Sequence, residues 1–159
     1  MVKQLKKQRT MKRLFYVGFV LFAACTDIIA QDVTIFPKGE KAPNVNHVGV
    51  VWRSQLIPSD SVFSFGISEV AYEPGARLNW HRHPAGQILL ITNGTGYYQE
   101  KGKPKQTVRK GDIIKCQPGV EHWHGATPQS GVTYIATTPA HKGSTVWLHA
   151  VTDKEYGSK

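Results

Sequence analysis

Apolar and polar residues alternate along most of the chain, which predicts β-strands. Successive side chains of a strand point to opposite faces, so alternation gives one buried and one solvated face. Alternating or β-rich runs occur at residues 48–53, 62–72, 77–81, 87–92, 96–100, 106–109, 112–116, 122–125, 132–137 and 145–150. Many short strands separated by frequent turns are typical of an all-β sandwich or barrel.

Turn-forming pairs separate these runs, among them Pro74-Gly75, Asn93-Gly94 and Pro118-Gly119. Such pairs predict that the chain reverses direction. Only residues 152–156, in the polar tail, suggest a helix. We therefore expect an arm at 31–47, a single β-barrel at 48–150 and a tail at 151–159, a size that suits one domain.

The first thirty residues have the pattern of a secretory signal peptide. A basic stretch ends at Arg13, the apolar run 14–24 follows, and Ala30 offers a small residue for cleavage. The apolar run is too short to cross a bilayer. We expect a periplasmic or secreted protein, or alternatively a lipid anchor at Cys25. Either route leaves Cys116 as the one ordinary thiol, which excludes an internal disulfide.

The positive charge gives little support for a nucleic-acid partner. The formal net charge is +9, but residues 1–30 hold six basic side chains and one acidic one, which leaves +4 for the remainder. The basic run 101–110 contains Gly102 and Pro104 and is interpreted as a solvated hairpin. We expect no membrane span after processing, and a small molecule as the partner.

The spacing of three histidines and a glutamine predicts a metal site. His81 and His83 are two residues apart, so they share one face of a strand, and His122 would join them from another strand. Imidazole suits divalent Mn, Fe, Co, Ni, Cu or Zn, and the amide oxygen of Gln87 adds a hard ligand. The other histidines outside this cluster, His47, His141 and His149, are expected to be structural or surface residues.

The same residues carry a family resemblance. Gly75, His81, His83 and Gly94 match the first motif of the cupin superfamily, and the second motif is matched by Gly111, Gly119 and His122. The chain therefore resembles a single-domain cupin over about residues 48–150, which implies a jelly-roll β-barrel. It departs from the common motifs at Gln87 (usually Glu), Gln117 (usually Pro) and Ala126 (usually Asn).

Residues 73–77, 80–87 and 122–125 are similar to one subgroup. This subgroup includes the bacterial manganese-dependent cupin hydroxynitrile lyases and cupins labelled carboxymuconolactone-decarboxylase-like. The resemblance implies one divalent transition metal per chain, with manganese first and iron, nickel or zinc as alternatives. The ligands that it implies are His81, His83, Gln87 and His122.

Gln87 has a chemical consequence of its own. A glutamate would contribute a negative charge to the ligand set, whereas a glutamine leaves the +2 of the ion uncompensated, so the site should attract anions. This favours a lyase-type or isomerase-type enzyme acting on a small hydroxylated or carbonyl compound. The alternatives are a cupin dioxygenase that uses the same metal and a non-catalytic protein that binds a small molecule or metal.

The strand period also assigns the neighbours of the ligands. His124 should face the same interior as His122 and is a candidate general acid/base, with Tyr134 as a further polar group. Ser68 and Val70 should line the pocket. Trp80 and Trp123 should then point outward, and we expect them to be covered by a homodimer partner or by the N-terminal arm.

Overall fold

The computed structural model describes residues 35–157. The expected signal peptide, Cys25 and the beginning of the arm lie outside these residues. Residues 35–157 form twelve strands and one short helix. In chain order they are β1 (Glu40–Lys41), β2 (His47–Val48), β3 (Val51–Ile57), β4 (Phe65–Tyr72), β5 (Arg77–Leu78), β6 (His81–Arg82), β7 (Gln87–Glu100), β8 (Gln106–Arg109), β9 (Ile113–Cys116), β10 (His122–Ala126), β11 (Val132–Pro139), β12 (Val146–Trp147) and α1 (Asp153–Gly157).

The strands form one curled antiparallel sheet in the order β1-β3-β4-β11-β7-β10-β5-β2. Strands β8 and β9 pair with β7, β6 pairs with β10, and β12 pairs with β6. The long strand β7 belongs to both halves of the sheet. Its first half pairs with β11 and β9, and its second half pairs with β8 and β10. This strand therefore connects the two sides of the fold, and the all-β class predicted from the sequence is confirmed.

The turn predicted at Asn93-Gly94 is wrong, because β7 runs through it. Gly94 has a φ of 73°, and a Cβ at this position would lie 2.0 Å from the carbonyl oxygen of Gly131. Only glycine tolerates both the positive φ and the close approach of another strand. The glycine therefore changes the path of a continuous strand instead of ending it.

Several other strands are shorter than the alternation predicts. The run 62–72 begins only at Phe65, because the side chain of Asp60 accepts hydrogen bonds from the backbone N–H groups of Val62 (2.8 Å) and Phe63 (2.6 Å) and holds a turn there. The runs 77–81 and 145–150 yield only two-residue strands. The helix expected in the tail is present at Asp153–Gly157, and no helix of residues 35–157 is long and apolar enough to span a bilayer.

The two tryptophans lie outside the barrel interior, as alternation predicts, but their cover differs from the prediction. Trp80 and Trp123 are buried in a small second core with Val151, against which Leu148 and Tyr156 pack. The expectation that a partner subunit or the N-terminal arm would cover them is wrong. The chain's own C-terminal segment does so, since a few apolar residues in that polar tail are enough to seal both indoles.

The tail is fastened by polar contacts as well as by packing. Arg77 donates from Nε and Nη2 to the carbonyl oxygen of Val151, both at 3.3 Å. Its Nη2 also lies 2.6 Å from the carboxylate of Asp153. Trp80 donates from its indole N–H to Glu155 at 3.2 Å. The tail is thus an integral part of the described fold.

Candidate metal centre

Strand pairing brings the three motif histidines together. His81 on β6 is directly opposite His122 on β10, and His83 follows the end of β6 by one residue. All three side chains are buried. One nitrogen of each ring lies within 4.8 Å of the corresponding nitrogens of the other two. The arrangement could hold a metal ion.

The Nδ1 atom of each ring is held by another group. The carbonyl oxygens of Asn79 and Val120 lie 2.8 Å and 2.9 Å from Nδ1 of His81 and His122. Since a carbonyl can only accept, Nδ1 carries the proton in both rings and Nε2 keeps its lone pair. The Nδ1 of His83 lies 3.1 Å from the hydroxyl of Thr145. Such contacts fix a ring's orientation at metal sites, and the two carbonyl contacts also fix the tautomers of His81 and His122.

The fourth expected ligand presents its oxygen in the same way. Gln87 is the first residue of β7, and its Nε2 donates to the hydroxyl of Thr138 at 2.8 Å. With the amide in this orientation, the other amide atom is the oxygen. Oε1 of Gln87 and Nε2 of His83 and His122 are buried without a hydrogen-bond partner. Buried polar atoms are rarely left unpaired, so these lone pairs fit a bound cation.

Burial also keeps the imidazoles neutral. It lowers the pKa of His83 to about 4, the pKa of His81 falls well below its ordinary value, and that of His122 is lowered as well, each chiefly through loss of hydration. Neutral imidazole is the form that binds metal, so the metal-free site would not have to release protons at neutral pH.

His124 and Tyr134 form a buried pair beside the histidine cluster. The Nδ1 of His124 is hydrogen-bonded to the phenol of Tyr134, and the His124 ring is stacked against His122 with 5.8 Å between centroids. Nε2 of His124 has no partner. Burial lowers the pKa of His124 and raises that of Tyr134, so both groups are uncharged near neutral pH.

A cavity of about 650 Å³ adjoins the cluster. His81, His83, Gln87, His124 and Tyr134 reach it, and Ser68 and Val70 line it as the strand period predicted. Its lining also includes apolar side chains, among them Val51, Leu78 and Ala136.

Sequence reasoning missed several polar residues of the cavity. Thr138 and Thr145 support Gln87 and His83, and His47 and Arg53 line the wall. The two-residue period of β3 could have placed Arg53 on the same face as the buried Val51. No local pattern could have shown which strand lies opposite it.

Two other expectations concern single side chains. His149 lies against Trp80, with ring centroids 6.2 Å apart, which fits the structural role expected for it. Cys116 is a buried free thiol, and burial raises its pKa to about 12. A thiol that stays protonated is a poor nucleophile, so Cys116 fits a structural role.

Comparisons of the sequence and of the structure with known proteins point to the same family. The family model for the Cupin domain matches residues 68–138. The (R)-mandelonitrile lyase of Granulicella tundricola is 41% identical over 90 residues, which are 56% of this chain and 69% of that protein. A crystal structure of a cupin-like protein from Thermotoga maritima is 42% identical, with a TM-score of 0.76 over 78% of this chain and 95% of the other.

A more distant structure shares the fold alone. The cupin 2 conserved barrel domain protein from Rhodopseudomonas palustris is 17% identical, with a TM-score of 0.59 over 71% of this chain and 76% of the other.

Proposed function

Since this chain belongs to the cupin family, we propose that it is a metal-dependent enzyme of lyase type that acts on a small hydroxylated or carbonyl compound. The observation that carries the proposal is the group of buried lone pairs on His83, His122 and Gln87 without partners, beside a cavity. The likeness to a protein named as a mandelonitrile lyase supports the choice of lyase-type chemistry.

His81, His83, Gln87 and His122 would hold one divalent ion, manganese first and iron, nickel or zinc as alternatives. When bound, such an ion acts as a Lewis acid that polarises a substrate oxygen or stabilises a leaving anion. All four side chains are neutral donors, so the protein adds no negative charge to the ion. This charge balance favours substrates that carry or develop negative charge.

His124 would move the proton. We assign the Nδ1 proton of His124 to the hydrogen bond with Tyr134, which leaves the lone pair of Nε2 free to accept a proton from a substrate hydroxyl and later return it. Tyr134 would orient the ring and hold this tautomer. The Tyr134 phenol is in turn hydrogen-bonded to Tyr72, and their rings are 5.2 Å apart.

Metal analysis by mass spectrometry tests the first part of the proposal. About one ion per chain is expected in the wild type and in the control His141→Ala, which removes an exposed histidine, and much less in His83→Ala. A wild-type protein that stays empty after incubation with Mn, Fe, Ni and Zn would overturn the metal mechanism.

Turnover tests the second part. Release of benzaldehyde from mandelonitrile, lost in His124→Ala but not in His141→Ala, would support lyase chemistry. Oxygen uptake with enol substrates would instead favour the dioxygenase alternative, and a metal-loaded protein without turnover would favour a binding role.

Export and dimer formation complete the proposal. The signal-like residues 1–30 support export to the periplasm or beyond, with a lipid anchor at Cys25 as the alternative. The need to cover exposed tryptophans no longer supports a homodimer, since the tail already covers Trp80 and Trp123. Light scattering of the processed protein would test it: a dimer mass supports the proposal, and a monomer at micromolar concentration opposes it.

A further inference from the structure

The cavity beside the histidine cluster is lined by an arginine that forms no ion pair with another described residue. Arg53 on β3 lines the cavity and is exposed to solvent. Its Nε and Nη2 both donate to the hydroxyl of Ser68, at 3.3 Å and 3.2 Å. The ion pairs of residues 35–157 involve other groups, and the residues that line the cavity include neither aspartate nor glutamate.

Arg77 has a different environment. Arg77 is buried outside the cavity, where its guanidinium contacts the carboxylate of Asp153 and the carbonyl of Val151. Arg53 donates to the hydroxyl of Ser68, and Glu40, which is opposite it on β1, forms no ion pair with it. A guanidinium offers five N–H donors arranged as a fork that matches a carboxylate. Most of the donors of Arg53 are therefore free for a ligand.

The sheet sets the spacing between Ser68, which contacts the Arg53 guanidinium, and the strand that carries Gln87. Ser68 on β4 is opposite Ala136 on β11, which is opposite Leu89 on β7, two residues from Gln87. Neighbouring strands are about 4.8 Å apart, so the backbones of Ser68 and Leu89 are separated by roughly 10 Å. The side chains occupy part of this spacing, and a molecule of a few carbon atoms would bridge the space that remains.

The cavity also presents apolar surface. Val51, Val70, Leu78 and Ala136 contribute to its lining. A ligand with an anionic end, an oxygen near the other end and an apolar side chain fits this distribution of polar and apolar groups.

We propose that Arg53 and Ser68 form a carboxylate subsite, and that the cavity takes small carboxylates with a hydroxyl or carbonyl oxygen next to an apolar group, such as 2-hydroxy or 2-oxo acids. The carboxylate contacts the Arg53 guanidinium, and the second oxygen is directed to the cluster of His81, His83, Gln87 and His122. The second contact rests on the proposed metal function, whereas the first rests on Arg53 alone.

Calorimetric titration with two probes of almost equal shape tests the subsite. Mandelate carries the carboxylate, and mandelamide is its neutral counterpart. The wild-type protein should bind mandelate roughly tenfold more tightly than mandelamide, the low end for a charge-assisted pair, because solvent reaches Arg53. Arg53→Gln should remove this preference and leave mandelamide binding unchanged. Arg109→Gln, on β8 away from the cavity, is the matched loss of one charge and should keep the preference.

Each titration is repeated on metal-loaded and metal-free protein, so that the two proposals fail separately. A preference for mandelate that depends on Arg53 in the metal-free protein supports the subsite even if the metal function is wrong. Equal binding of both probes, no binding of either, or an equal loss in Arg109→Gln overturns the subsite, whatever the metal content is.

Discussion

The cover over the two tryptophans leads to a quantitative prediction. Val151 is 2% exposed and packs in the small core with Trp80 and Trp123. Val151→Ala removes two buried methyl groups, about 0.8 kcal/mol each, and leaves a cavity that adds up to about 1 kcal/mol. The backbone carbonyl that Arg77 contacts remains. We therefore expect a loss of about 2 kcal/mol in the free energy of unfolding.

Urea unfolding followed by tryptophan fluorescence measures this loss. With a slope of about 2 kcal/mol per molar urea, the midpoint should fall by about 1 M. Val62→Ala is the matched control, because Val62 is 80% exposed, and its midpoint should hardly move. Asp153→Ala breaks the ion pair with Arg77, but Asp153 is 98% exposed, so at most about 1 kcal/mol is expected.

Equal midpoints for Val151→Ala and Val62→Ala would refute this account. The tail would then contribute no stability in solution, and the indoles would need another cover, such as a second subunit. A red-shifted native emission in Val151→Ala alone would add support, since it would report water reaching the indoles.

Three further predictions concern the site and the core. Gln87→Glu should retain the metal but weaken the binding of azide, a small anionic probe, because the new carboxylate offsets one charge of the ion; unchanged azide affinity by calorimetry would contradict the charge argument. The metal-free protein should lose stability on acidification, because His83 has a folded pKa of about 4 against about 6.5 when unfolded. Between these values the unfolded chain binds more protons, so the free energy of unfolding falls by up to about 3 kcal/mol as the pH drops. The urea midpoint should therefore fall more between pH 7 and pH 4.5 in the wild type than in His83→Gln, and an equal fall in both proteins would oppose this. Cys116, buried and with a pKa of about 12, should resist iodoacetamide at pH 8 until urea unfolds the protein. Rapid alkylation of the native protein, detected by mass spectrometry, would contradict its burial.

The sequence alone predicted the class of the fold and the composition of the candidate site. Alternation gave most strands, since a half-buried strand needs that period to bury one face. It also put His81 and His83 on one side of their strand, and His124 on the side of His122. These inferences needed only residues a few positions apart, whose relative directions the backbone fixes.

The tertiary structure decided the remainder. The opposition of His122 and His81, the contact of Tyr134 with His124, and the position of Arg53 across the cavity all join residues far apart in sequence. Strand order and register follow from how all the strands close around one core, which no local period contains. The same holds for the tail: its composition looks polar, and only the packing of Val151 and Tyr156 against two indoles gives it a structural role.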